Sequence, residues 1–335
     1  MKHMKLHENQ GAFGVLAVPK PSPAFPCVQC IPWLNKAEHC HPKKPLCSLC
    51  SLWLNKPEPC PPKNFVPFVS SCEKQEEPPL RIAFLDSGIG GLTVLRQALT
   101  VLPTDQFVYY ADTLNAPYGV KPKTEVFAHV LAAADFLASL QIDALVLACN
   151  TATAVAVQTL RERYPFPVIG MEPAVKPALM QGMGKVMVFA TSLTLRESRL
   201  EALISNLGQS HRVECRALDR LVRFAEAFDF TSRAVSDYLA DRLADIRWSE
   251  YESAVLGCTH FLFYRDLIQE CTGPDIRLID GNQGTVSQLA RVLEPLRAQA
   301  TAPVHDAAPR VTFYASGHKE TPARVERMLA LLSAP

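Results

Sequence analysis

From residue 81 onward the apolar positions fall into short continuous runs separated by longer stretches of helical spacing. Runs at 82–85, 107–110, 144–148, 168–171, 185–190, 254–257 and 311–314 predict strands, and two more are placed at 213–218, between flanking helices, and at 276–279. Between them, 92–99, 126–140, 152–164, 195–207, 232–248, 285–298 and 321–332 carry apolar residues at i, i+3 and i+4, the spacing of a helix with one buried face. The run 144–148 has no polar position, as expected of a strand covered on both faces. Strand and helix in alternation mean right-handed βαβ units and parallel sheets. So many strands divide more readily into two modest sheets than into one. The predicted fold is α/β, with two doubly wound parallel-sheet lobes related by pseudo-symmetry and a cleft between them. Residues 81–174 with 284–335 form the first lobe and 175–283 the second. Residues 1–80 form an irregular or disordered N-terminal extension.

Composition sets that extension apart. Residues 1–80 contain nine lysines, no arginine and no aspartate, whereas 81–335 contain five lysines and 20 arginines. The extension also holds 14 of the 27 prolines and seven of the 11 cysteines, so it differs from the rest in kind. Cys27-x-x-Cys30-x-x-Trp33-Leu34-Asn35-Lys36 recurs 20 residues on as Cys47-x-x-Cys50-x-x-Trp53-Leu54-Asn55-Lys56. Two interpretations stand. The pairs Cys27/Cys30 and Cys47/Cys50 have the spacing of a four-thiolate zinc ribbon. A duplicated low-complexity tract, or an upstream stretch read through from a misplaced start, would space its cysteines equally well. Its frequent prolines also oppose a packed fold.

The chain as a whole is 48% hydrophobic and 20% charged with a net charge of +1, a balance that suits a globular protein with a large core. Nothing in it calls for nucleic acid as a partner. No run of about 18 apolar residues predicts a membrane span, and no secretory signal is evident, so the expected location is the cytoplasm with reduced thiols.

The chemistry lies at the carboxyl ends of the predicted strands, where open α/β sheets bind ligands. Asp86-Ser87-Gly88-Ile89-Gly90-Gly91 follows the first strand. Its glycines allow close backbone approach, though a tight strand–helix turn would need them too. Asp112-Thr113 leads into Pro117-Tyr118-Gly119, where ordinary turn chemistry and a carboxylate-binding hydroxyl are both open. Leu147-Ala148-Cys149-Asn150-Thr151 and Leu256-Gly257-Cys258-Thr259-His260 each end an apolar run in a cysteine, 109 residues apart. One buried cysteine is ordinary core material. Two at equivalent strand ends suggest two proton carriers facing one substrate, the requirement for inverting a stereocentre. Helix N-terminal N–H groups after each cysteine are expected to raise its thiolate fraction. His260 is placed to move protons. Cys215 and Cys271 lack such surroundings and are expected to be structural.

Over residues 81–332 these motifs resemble the glutamate racemases of the aspartate/glutamate racemase superfamily. Asp86-Ser87-Gly-x-Gly-Gly-Leu, Asp112-Thr113 with Pro117-Tyr118-Gly119, Ala148-Cys149-Asn150-Thr151-Ala152, Gly170-Met171-Glu172-Pro173, Gly257-Cys258-Thr259-His260 and Phe313-Tyr314-Ala315-Ser316-Gly317 carry the likeness. The resemblance implies cofactor-independent racemisation of L-glutamate to D-glutamate for peptidoglycan. Cys149 and Cys258 would be the acid/base thiols, assisted by Asp86 and His260. Ser87, Tyr118, Gly119, Asn150, Thr151 and Thr259 would contact the substrate, with Asp86, His260 and Glu172 at the site. Such enzymes are often dimers, and some are controlled by a cell-wall precursor; residues 172–178 are similar to that group, which adds a homodimer and a precursor activator to the expected partners. The chain departs from the family after Phe261, where Leu262-Phe263-Tyr264 replaces proline and aliphatics. Alternatives are an aspartate racemase or another amino-acid racemase, and a non-catalytic binding protein with a zinc-binding tail.

Overall fold

The computed structural model describes residues 79–298 and 310–333, so the cysteine pairs Cys27/Cys30 and Cys47/Cys50 and the zinc ribbon expected of them lie outside the described residues. The chain runs β1 (Arg81–Asp86), α1 (Leu92–Val101), β2 (Gln106–Ala111), α2 (Lys123–Ser139), β3 (Ala144–Leu147), α3 (Asn150–Arg163), β4 (Val168–Gly170) and α4 (Val175–Met180). It continues with β5 (Lys185–Ala190), α5 (Ser192–Arg196), α6 (Ser198–Asn206), β6 (Val213–Ala217), α7 (Asp219–Glu226), α8 (Arg233–Leu243), β7 (Tyr251–Leu256), α9 (Arg265–Thr272) and β8 (Arg277–Asp280). Last come α10 (Asn282–Arg297), β9 (Val311–Ala315), β10 (His318–Lys319) and α11 (Pro322–Ser333).

Among the described residues these strands form two sheets, in the orders β10-β9-β2-β1-β3-β4 and β6-β5-β7-β8. The run β2-β1-β3-β4 and the run β6-β5-β7-β8 have the same internal order, all parallel. That repeat is the pseudo-symmetry anticipated from the alternating pattern. It places β3 and β7, the strands that lead to Cys149 and Cys258, in equivalent positions. β9 adds to the first sheet in parallel, and β10 turns back antiparallel at its edge, an element the sequence pattern did not predict.

Each central strand is covered on both sides, which is why β1, β3 and β5 are apolar almost throughout and β7 is apolar from Ala254 onward. Along β1, Ile82 and Phe84 face one core while Ala83 and Leu85 face another. The alternation follows from the two-residue period of a strand. The core that takes Ile82 and Phe84 also takes Met187 and Phe189 from β5 and Ala254 and Leu256 from β7, so a single apolar cluster reaches from one sheet to the other. A third cluster, with Val186, Val188 and Val255, covers the outer face of the second sheet.

Three departures from the sequence pattern have local causes. The helix expected over 195–207 is two helices, α5 and α6, because Glu197 takes an extended backbone (φ −77°, ψ 132°) and buries its carboxylate against Lys123 at 2.6 Å. The helix expected over 232–248 stops at Leu243, and Trp248 turns back edge-on against Phe189, ring centroids 6.2 Å apart. The short helices α4, α7 and α9 were not anticipated. Six to eight residues give too few turns for a period to stand out from sequence. Among the described residues no helix is long and apolar enough to cross a membrane.

Phe84 is fully buried and meets Phe107 edge-on at 5.9 Å between centroids. Phe84→Ala should cost about 3–5 kcal/mol in a urea unfolding titration, as core phenylalanine truncations do. A loss under about 1 kcal/mol would contradict this account of the shared core.

Candidate active site

The loop after β1 is the hub. Asp86 is fully buried; its Oδ1 accepts the Gly88 N–H at 2.9 Å and the Ser87 hydroxyl at 3.1 Å, and its Oδ2 accepts the Thr259 hydroxyl at 3.0 Å. The loop after β1 is thus tied to the loop after β7, from the other sheet. Ser87 Oγ lies 4.0 Å from Cys149 Sγ, which brings in the loop after β3 as well. Cys149 caps α3, its sulfur accepting the Ala152 N–H at 3.5 Å. Cys258 Sγ lies 3.8 Å from Nδ1 of His260. Both thiols are buried and free.

Glycines make this convergence possible. A Cβ on Gly88 would lie 1.7 Å from Oε1 of Glu226, and one on Gly90 would lie 2.4 Å from Nδ1 of His260, so neither position can carry a side chain while those groups keep their places. The steric need is for the missing Cβ itself, since neither glycine has a positive φ.

Glu226, the last residue of α7, was not singled out by the sequence, and it completes the site. Its Oε1 accepts the Ile89 N–H at 2.7 Å and meets Nε2 of His260 at 2.8 Å. A helix C-terminus is an unfavourable place for a carboxylate. Burial works against its charge too, but the bond and charge of His260, the Ile89 N–H and Arg324 outweigh both and hold it below the usual carboxylate range. Burial likewise opposes a charged His260. Cys258, Glu226 and Asp86 overcome that and raise the imidazole well above its ordinary value. The imidazolium then donates Nε2–H to Glu226 and Nδ1–H towards the sulfur of Cys258. In that state the Gly90 N–H, 3.3 Å from Nε2, is a contact and not a hydrogen bond.

The two sulfurs therefore have opposite neighbours. Burial pushes the Cys149 thiol up, Asp86 and Cys258 push it further, and the N–H of Ala152 pulls back without prevailing. The expectation that helix N–H groups would favour a thiolate needs correction at Cys149. At Cys149 desolvation wins. At Cys258 the following residues Thr259–Tyr264 form a 3-10 turn, α9 begins only at Arg265, and the sulfur caps nothing. That turn contains Leu262-Phe263-Tyr264, the stretch that departs from the family pattern. There Tyr264 donates its hydroxyl towards the carbonyls of Leu221 and Asp229, at 3.2 and 3.0 Å, which fastens the turn to α7.

The other expected residues divide into two groups. Asn150 donates Nδ2 to the carbonyl of Met171 at 3.1 Å, while its buried Oδ1 has no partner among the described residues. Thr151 joins Thr191 and Thr194, from the second lobe, in a triangle of hydroxyls with sides of 2.9–3.1 Å. Tyr118 is buried and donates its hydroxyl to Asp112 at 2.6 Å, and a Cβ on the adjacent Gly119 would lie 2.4 Å from that of Thr191. Glu172 pairs with Arg199 at the edge of the cluster, where both line a small pocket with Asn150 and Thr194 and also the rim of a wider cleft with Pro173, Lys176 and Gln288. Among the described residues no group of three or more His, Cys, Asp or Glu side chains is arranged to hold a metal.

The sequence profile of the Asp/Glu/Hydantoin racemase family matches residues 95–289. A glutamate racemase of Halothermothrix orenii is 43% identical over 254 residues, 76% of this chain and 99% of the relative. The chain belongs to the Asp/Glu/hydantoin racemase family. Glutamate racemase 2 of Bacillus subtilis is 42% identical over 76% of this chain and 96% of its own. Among solved structures, Escherichia coli glutamate racemase in complex with L-glutamate and the activator UDP-MurNAc-ala superposes with a TM-score of 0.64 at 28% identity, covering 76% of this chain and 94% of that one.

In this racemase-family site the buried ion pair leaves a pH signature. The folded value of His260 is raised, so its contribution to stability is complete below about pH 6.5 and is lost as pH climbs through the higher folded value. That of Glu226 is lowered, so its contribution is present above about pH 4.3 and is lost as pH falls. His260→Gln should therefore be destabilised by about 3–5 kcal/mol between those limits, with the deficit narrowing on the alkaline side. Urea unfolding across a pH series measures it, and a deficit flat with pH would contradict the pairing.

Proposed function

We propose that this chain is a glutamate racemase that inverts the α-carbon by two-thiol, cofactor-independent 1,1-proton transfer. The observation that carries the proposal is the convergence of two buried thiols, one from each lobe, on the single loop that begins at Asp86. One sulfur, as thiolate, takes the α-proton and becomes a thiol, and the electron pair delocalises into the substrate carboxylate. The opposite thiol delivers its proton to the other face and becomes the thiolate. Inversion is complete and the protonation of the pair is reversed. Asp86, bonded to Ser87 beside Cys149, and His260, beside Cys258, restore it. The α-carbon is a far weaker acid than a thiol, so fixed donors around the carboxylate must stabilise the carbanion.

Gly119 and Thr151 would supply part of that surround, and the hydroxyls of Ser87, Thr259 and Tyr118, which here donate to Asp86 and Asp112, would turn to the ligand when it binds. The unpartnered Oδ1 of Asn150 is an acceptor suited to the α-ammonium group. Glutamate is favoured over aspartate by the named relatives and by the E. coli complex. The same complex supports a cell-wall-precursor activator here, and the similarity of residues 172–178 to activated members adds to it. Homodimer formation, a cytoplasmic location and a role in peptidoglycan synthesis are carried with the assignment.

The test is loss of ellipticity as D-glutamate is converted, with aspartate alongside. Wild type should racemise glutamate, and Cys149→Ala and Cys258→Ala should each lose at least about a thousandfold while keeping their far-UV spectrum. Either single variant turning over at near the wild-type rate would sink the two-thiol scheme. Faster turnover of aspartate would reassign the substrate.

A further inference from the structure

Oε1 of Glu226 is fully occupied by Ile89 and His260, and the other oxygen turns towards the C-terminal helix. Arg324 of α11 reaches Oε2 at 3.3 Å. Its side chain is 28% exposed, so water screens the pair only in part. Around the guanidinium, Glu320, one turn earlier, lies 3.2 Å from Nε in an ion pair that is not aligned as a hydrogen bond, and the Phe228 ring lies under it, 5.6 Å from ring centroid to Cζ. Arg327 packs on the same ring at 3.6 Å. Phe228 follows α7 with φ +57°, a conformation uncommon for a bulky residue, and the bend aims its ring at α11. The end of α7 and the C-terminal helix thus meet around a carboxylate that belongs to the site.

We propose that Arg324 is a positioning residue for the reaction: from α11 it fixes Oε2 of Glu226, and through that carboxylate it holds His260 against the sulfur of Cys258. The proposal rests on the two-thiol assignment for its consequence in turnover, though not for its geometry. A carboxylate anchored at one oxygen can rotate about its last torsion, whereas one anchored at both cannot. Around Glu226 the charged and titratable groups are His260, Arg324, Asp86, Tyr109 and Tyr264; around His260 they are Cys258, Glu226 and Asp86. The sign of the effect separates positioning from bare charge. As a through-space cation Arg324 would repel the imidazolium, and its removal would strengthen proton binding at His260. As an anchor for Glu226 it supports the imidazolium, and its removal would weaken proton binding.

The experiment is an NMR titration of the His260 ring in the full-length free enzyme, its signal identified by its absence from His260→Gln. Arg324→Gln should lower the proton affinity of His260 about two- to fivefold, the scale of a partly screened ion pair. Arg324→Met, which keeps an apolar stem on Phe228, should do the same if the glutamine variant does not fold. Arg324→Lys should return the midpoint towards wild type, and Arg327→Gln should leave it in place. In the racemisation assay Arg324→Gln should lower kcat by a similar factor with KM for glutamate within twofold. An unchanged or raised His260 midpoint in the uncharged variants overturns the proposal. A wild-type enzyme that does not racemise glutamate would remove the functional assignment instead, and the titration would still decide the role of Arg324.

Discussion

A charged imidazole almost wholly excluded from water is tolerable only beside a fixed counter-charge, and the site is arranged around that necessity. His260 has Glu226 at 2.8 Å. Glu226 is secured in turn by the Ile89 N–H and by Arg324. An isolated ion in such a place would cost several kcal/mol. The chain meets the cost with groups from four segments: the loop after β1, the end of α7, the turn after β7 and the C-terminal helix. Gly88 and Gly90 follow from the same constraint, because the carboxylate and the ring occupy the space where their side chains would be. Asp86 forms the second half of the arrangement, joined to Thr259 across the lobes.

The repeat of strand order makes the two halves of the site alike, and their electrostatics make them different. β3 and β7 end in the same place in their sheets and each presents a thiol. One thiol starts a regular helix beneath a carboxylate; the other starts a 3-10 turn beside an imidazolium. A racemase must work on two mirror-related ligands with one set of atoms, so equivalence of position is required. Equivalence of charge is not, because under the proposed two-thiol scheme one sulfur would be a thiolate while the other is a thiol. Duplicated topology with unlike surroundings meets both conditions.

Much of this could be read from the sequence. The buried strands were legible because a run such as Ala144–Leu147 has no polar residue to accommodate elsewhere, and the glycine-rich loop was legible because it follows such a run directly. Cys149, Cys258, Asp86 and His260 lie next to those strand ends, and the structure brings them together. Glu226 was not legible: α7 is eight residues long, and a glutamate at its end looks like any solvated charge. The available signal was indirect, namely that a buried histidine after Cys258 must have an anion from somewhere. The Thr191 and Thr194 hydroxyls were hidden for a similar reason, since threonines that open a helix usually serve as caps, and Thr191 does cap α5. The early end of α8 and the break at Glu197 depend on tertiary contacts that no local period encodes.

One apolar cluster serves both sheets, from Phe84 to Phe189 and Leu256. Because both sheets contribute to this core, a wide opening between them would bring apolar surface into water. Admission of a small ligand to the sulfurs must therefore fall to the polar loops at the strand ends, where water and side-chain rotation are cheap. On this view breathing of the crevice and global unfolding are separate events, divided by the boundary between the strand tips and the oil below them.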